Sequence, residues 1–152
     1  HNAVDLKKVI HDALRLREHA LRHEKITVEF DCATPVPPLN GDAPKLQIAL
    51  VHLLLNAEEA LEAAELRHLR LRLYEQDGCA RIEVWNSGAP VEPGDRAAVF
   101  EPFMTSKSGY HLGYGLAAVR AAAAYHGGSV AYEADRGFVL TLPLAQTPPE
   151  QA

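Results

Sequence analysis

Residues Asn86 to Leu116 read NSGAPVEPGDRAAVFEPFMTSKSGYHLGYGL. The segment opens with Asn-Ser-Gly directly after Ile82-Glu83-Val84-Trp85, an apolar run that alternates as a strand does. It closes with Gly113-Tyr114-Gly115-Leu116 at the head of an alanine-rich helix pattern. Between these ends only the aromatic patch Phe100-Glu101-Pro102-Phe103 interrupts a polar sequence. Loops of such length inside compact domains are uncommon unless they bind a ligand or lack order. Glycines ahead of a helix let backbone approach a ligand, and the first unpaired amides of that helix favour an anion. The segment therefore reads as a phosphate-covering lid. A Gly-x-Gly pair is a weak signal alone, so the flanking chain has to supply the rest.

Upstream, Leu69, Leu71 and Leu73 alternate with Arg70 and Arg72, and Asp77-Gly78 turns the chain into Ala80 to Trp85, a hairpin signal. Before that lies a helix expected from Ala43 to Ala64, nearly all apolar over Ile48 to Leu55 and therefore buried, with Asp42 as its cap and Pro44 in its first turn. Pro35, Pro37, Pro38, Asn40 and Gly41 form a loop. Ile26, Val28 and Phe30 alternate with polar residues as a half-buried strand, and apolar residues at helical spacing predict one helix from Val4 to His23, with Asp5 near its start. Downstream, Leu116 to His126 reads as a helix stopped by Gly127-Gly128. Two strands follow, Val130 to Glu133 and Phe138 to Leu142, joined by Asp135-Arg136-Gly137. Helices mixed with antiparallel hairpins predict an α/β sandwich with the helices on one face of the sheet. The Pro-rich tail after Leu144 is expected to be disordered.

At 152 residues the chain is the size of one ordinary domain, and 47% hydrophobic with 23% charged residues suits a globular protein. A formal net charge of -5 argues against general nucleic-acid binding. No apolar run is long enough to cross a bilayer, and the N-terminus lacks a signal-peptide pattern. Cys32 and Cys79 give neither a disulfide framework nor a zinc pattern.

Within the buried helix, His52 and Asn56 stand four residues apart on one face. Polar side chains in so apolar a helix cost free energy unless each finds a partner. One reading makes them satisfied core groups. The other makes Asn56 an oxygen ligand for magnesium, which prefers hard oxygen donors and keeps phosphates in its shell.

Asn56 on a helix, Asn86-Ser87-Gly88 after a strand, Phe100-Glu101-Pro102-Phe103, and Gly113-Tyr114-Gly115-Leu116 opening a helix occur in that order. Together they resemble the N, G1, F and G2 boxes of the catalytic ATP-binding domain of sensor histidine kinases, of the nitrogen-regulation-like type. That domain belongs to the superfamily (GHKL, Bergerat fold) shared with gyrase, mismatch-repair and heat-shock ATPases. The resemblance runs from Asp5 to Leu144, and Gly41-Asp42, Leu46-Gln47 and Leu142-Pro143 also match it. It implies a two-layer α/β (α+β) sandwich, about three helices on one face of a mixed, largely antiparallel sheet, with residues 1–145 as the catalytic domain and 146–152 as tail.

It also implies roles. Asn56 would bind Mg2+ bridging the ATP phosphates; Asn86 would meet the adenine amino group; Gly88 would admit the base, with Val91 and Ala60 beside it. Phe100 and Phe103 would anchor the lid, and Lys107 would meet a phosphate. Gly113, Tyr114, Gly115 and Leu116 would cradle the phosphates, and His52 and Lys107 join Asn56 as catalytic candidates. The implied activity is transfer of the γ-phosphoryl group of ATP to a histidine on a separate dimerisation domain, expected N-terminal to residue 1, and from there to a response regulator. No direct membrane insertion, a monomeric fragment and a cytoplasmic setting go with it.

Departures stand beside the matches. Asn86 replaces the usual aspartate, though its side-chain oxygen can still accept. Ala89-Pro90 stands where a second glycine is common, His111 takes a place often held by glycine, and His52 replaces a common asparagine, as in chemotaxis kinases. None deletes a phosphate donor. His23-Glu24-Lys25-Ile26-Thr27 mimics a phosphoacceptor motif but lacks its proline and runs from a helix into a strand, so His23 is not read as the acceptor; His19 and His23 lack a third metal ligand. The rival readings are a related ATPase (which usually has glutamate at the position of His52), an anti-sigma serine kinase, or a degenerate domain that binds partners without nucleotide.

Overall fold

The computed structural model describes residues 2–101 and 115–144. Its main sheet has five strands in the order β2-β4-β5-β7-β6. These are β2 (Thr27–Asp31), β4 (His68–Gln76), β5 (Cys79–Asn86), β6 (Ser129–Glu133) and β7 (Gly137–Pro143). β2 runs parallel to β4, and the other three pairings are antiparallel. The helices α1 (Leu6–Leu16), α2 (Glu18–His23), α3 (Ala43–Leu61) and α4 (Gly115–Tyr125) complete the described architecture. Alternation along β4 turns Leu69, Leu71 and Leu73 to the helices and Arg70 and Arg72 to the open face; all three leucines are buried. The expected mixed sandwich is therefore present, with four α-helices among the described residues where about three were expected.

Three elements differ from the sequence reading, the first being Asn40 and Gly41, expected in a loop but held in strand β3 (Leu39–Gly41) by pairing with the N-terminal residues. Val4 is strand, not helix: β1 (Asn2–Val4) pairs antiparallel with β3 (Leu39–Gly41) in a separate two-stranded sheet. The helix expected through His23 breaks at Arg17, whose backbone leaves the helical region (φ -101°, ψ 5°). Arg17 turns its guanidinium to Glu58 of α3, with Nε and Nη2 donating to the two carboxylate oxygens at 2.9 and 2.7 Å. After the break Leu21 is buried, while Leu16 is left 62% exposed. Val28 of edge strand β2 is also exposed, so only Ile26 of that alternating run is fully buried.

The predicted caps and turns form for the reasons expected. Asp5 accepts from the amides of Lys7 and Lys8, and Asp42 accepts from Lys45 N at 3.0 Å, which satisfies first-turn donors of α1 and α3. Asp77 and Gly78 both have positive φ, the conformation of a two-residue hairpin turn. At the far end of α3, Arg67 donates to the carbonyl oxygens of Glu62 and Ala64, ending the helix three residues before Ala64 where Leu61 closes it. The proline-rich tail lies outside the described residues.

Candidate functional site

The site is laid out along α3. His52, Asn56 and Ala60 recur at i, i+4 and i+8, one stripe of a helix whose other side is core. At the first of these positions His52 is half-buried and faces the start of α4: a Cβ on Gly115 would lie 3.5 Å from its Nδ1. Gly115 opens α4, so the unpaired amides and positive end of that helix are directed to the same place. Leu116 is buried and pins the helix against the core. Unpaired helix-start amides of this kind favour an anion.

One turn on, Asn56 is only 8% exposed. Among the described residues its side chain makes no hydrogen bond. Its amide atoms are not sealed in the core, because among the described residues the buried side-chain atom without a partner is Arg81 Nε, so the amide is open to a ligand. A neutral carbonyl donor is of the right hardness for Mg2+ that arrives with phosphates. No cluster of three or more His, Cys, Asp or Glu side chains capable of holding a metal alone is present among the described residues. The donor set thus fits a cation that arrives with phosphates and takes one ligand from Asn56.

At the third position the Asn86-Ser87-Gly88 turn comes down on Ala60. A Cβ on Gly88 would sit 2.5 Å from the Ala60 carbonyl oxygen and 2.9 Å from Asn86 Oδ1, so only glycine fits. The Gly88 amide donates to Asn86 Oδ1 at 2.9 Å, an Asx turn that orients the Asn86 side chain. Ser87 locks the turn from behind: its hydroxyl donates to Leu66 O at 2.6 Å and accepts from His68 N at 2.9 Å. The Asn86 oxygen keeps its second lone pair, and its amide group adds a donor that aspartate would not have.

Val91 is 5% exposed, and its position is fixed by contacts that the sequence did not disclose. Its amide donates to Tyr132 Oη at 3.1 Å, and its carbonyl accepts from Arg96 Nε at 3.3 Å. Tyr132 and Phe138 meet edge to face, with ring centroids 5.0 Å apart. Phe100 meets Phe138 in the same way at 5.8 Å and is buried. Glu101 pairs with Arg120 of α4 at 2.9 Å, tying the residue after Phe100 to that helix. Phe103, Lys107, His111, Gly113 and Tyr114 lie outside the described residues.

Residues 41–147 match the family described as histidine kinase-, DNA gyrase B-, and HSP90-like ATPase, and the chain belongs to that family. Within it, similar proteins include sensor histidine kinases. The chain is 28% identical over 146 residues to sensor histidine kinase ZraS of Escherichia coli K12, covering 93% of this chain and 31% of that protein. It is 32% identical to the sensory histidine kinase/phosphatase NtrB of Rhodobacter capsulatus, over 90% of this chain and 43% of that one. The nucleotide-free catalytic domain of histidine kinase ThkA superposes with a TM-score of 0.82 at 26% identity, covering 95% of this chain and 98% of that domain. The chain is a histidine kinase catalytic domain of the two-component type, spanning less than half the length of these two full-length relatives. Among the described residues no helix is long and apolar enough to cross a membrane.

Proposed function

We propose that this domain binds ATP along α3 and donates its γ-phosphoryl group to a histidine on a dimerisation domain of the parent chain. The observation that carries the reading is the stripe His52-Asn56-Ala60. It joins an anion-binding helix start at one end to the Asn86-Gly88 turn at the other, about 12 Å apart along the helix axis. That span suits an extended nucleoside triphosphate, with phosphates at Gly115 and the base at Asn86. Asn86 Oδ1 would accept from the adenine amino group, while Val91 and the Gly88 backbone flank the ring.

Mg2+, when bound at Asn56, would supply neutralisation of the phosphate charge. The chain's own residues do the rest by positioning, which is most of what phosphoryl transfer needs. The α4 amides hold phosphate oxygens, His52 donates to or orients one of them, and Lys107 is assigned to a phosphate by its charge. An imidazole nitrogen of the acceptor domain attacks the γ-phosphorus. The bond to the β,γ-bridging oxygen breaks, ADP departs, and the phosphoryl group passes next to an aspartate of a response regulator. Residues 1–145 form the catalytic unit, monomeric by itself and cytoplasmic because that is where ATP is supplied.

The test supplies the parent chain's dimerisation domain with this domain and ATP labelled at the γ-phosphate. An acid-labile, alkali-stable label on the acceptor supports the reading. Steady phosphate release by this domain alone, with no labelled acceptor, would point instead to an ATPase of the same family.

A further inference from the structure

The far end of α4 is held by a contact that the nucleotide site does not itself use. His126 follows Tyr125, the last residue of α4, and its half-buried ring reaches back to Asp42, the N-cap of α3. The Asp42 backbone N–H donates to His126 Nε2 at 2.9 Å. A backbone amide nitrogen only donates, so Nε2 accepts and the ring proton sits on Nδ1, which donates to Ala122 O at 2.8 Å. One ring thus joins the last turn of α4 to the first turn of α3. Gly41 makes the approach possible, since a Cβ there would lie 2.6 Å from His126 Cδ2 and 2.7 Å from Nε2. Lys45 of α3 adds a second tie, its Nζ standing 5.0 Å from the centroid of the Tyr125 ring.

We infer that His126 is a positioning residue for the phosphate end of the site, an inference that rests on the nucleotide reading above. The two helices run antiparallel, because the end of α4 meets the start of α3 while Gly115 faces His52, midway along α3. A helix pinned at one end carries its other end with it. The contact at His126 therefore sets, about 16 Å away, where the Gly115 and Leu116 amides stand relative to His52 and Asn56. Packing fixes that height only weakly. Six of the eleven α4 residues are alanine, and the short ridges they form interlock little with the grooves of α3. The hydrogen bond supplies the register that side-chain shape does not. Asn86 and Gly88 are held separately, by Ser87, Leu66 and His68, so the pin acts on the phosphates and not on the base.

The test compares His126→Asn with His126→Gln. Asparagine ends where Nδ1 stands and loses the bond to Asp42, whereas glutamine extends an acceptor oxygen towards the place of Nε2. Dissociation constants for ATP with Mg2+ and for adenosine are measured by titration followed by NMR, with circular dichroism as the check on folding. His126→Asn is expected to weaken ATP by about tenfold and leave adenosine unchanged, and His126→Gln to recover most of the loss. Gly41→Ala, which displaces the ring from outside, is expected to act as His126→Asn does, and decides the matter should that variant not fold. ATP affinity at the wild-type value would overturn the assignment and leave the nucleotide reading standing. Equal weakening of ATP and adenosine, or no recovery in His126→Gln, would overturn it as a general loosening of the fold. Failure of the wild type to bind either ligand would remove the nucleotide reading itself and this inference with it.

Discussion

In the proposed site, one atom of Asn86 divides recognition between base and backbone. Its oxygen already accepts from the Gly88 amide at 2.9 Å, so a nucleotide has to share it. A carboxylate would hold both donors more strongly, since charge-assisted hydrogen bonds are about twice as strong as neutral ones. Asn86→Asp is expected to tighten ADP binding several-fold in calorimetric titration; unchanged or weaker binding would show that the base is not read here. Gly88 is sterically tied to Ala60, and Gly88→Ala should cost about 1–3 kcal/mol in urea unfolding together with loss of nucleotide binding. Full retention of both properties would contradict the close approach. Asn56, Asn86 and Gly88 were legible in the sequence because residue type and spacing carry the motif. Tyr132 was not: its hydroxyl meets the Val91 amide across 41 residues, and nothing local to β6 announces such a partner.

At the scale of elements, α3 has two sides, a core side set by its leucines and a proposed ligand stripe of His52, Asn56 and Ala60. Its mate α1 is clamped to it by Arg17 and Glu58, a two-pronged ion pair in which the neighbouring carboxylate raises the Arg17 pKa further. Arg17→Ala is expected to lower unfolding free energy by about 1–2 kcal/mol, and Arg17→Lys to recover only part, because lysine lacks the planar fork. An unchanged urea midpoint in Arg17→Ala would contradict this. The break at Arg17 was hidden from sequence reading because no glycine or proline marks it; a tertiary ion pair does. β1 was hidden too, since Asn2-Ala3-Val4 is too short to show alternation and its partner β3 sits more than thirty residues away. The long helix α3 and the Asp77-Gly78 hairpin, by contrast, carry local signals strong enough to survive any context.

For the whole molecule, the open sheet face is a second organised layer. Glu83, 1% exposed, accepts from Tyr74 Oη and from Arg72 at 3.3 Å, and Arg70 stacks over Trp85 at 4.7 Å. Burial first, and then the Glu83 hydrogen bond, raise the Tyr74 pKa above its ordinary value. A raised folded pKa means that the native state keeps its proton longer than the unfolded chain. The associated stability is complete below about pH 10 and is lost as pH climbs through the raised value. Tyr74→Phe should therefore flatten the alkaline fall in stability, whereas an identical alkaline limb in the variant would rule Tyr74 out as its source. The sheet order that builds this face was only partly legible. Neighbouring hairpins follow from short turns, but the parallel pairing of β2 with β4 joins segments some forty residues apart and leaves no local trace.

The central proposal is a nucleotide lying along α3 with its phosphates between Asn56 and the start of α4. Calorimetric titration of ATP with and without Mg2+, into the wild type and Asn56→Ala, tests this most directly, with circular dichroism confirming that both are folded. The expected result is magnesium-dependent binding by the wild type and its loss in Asn56→Ala. Equal binding by the two proteins, or binding indifferent to magnesium in both, would contradict the assignment of Asn56 and with it the site.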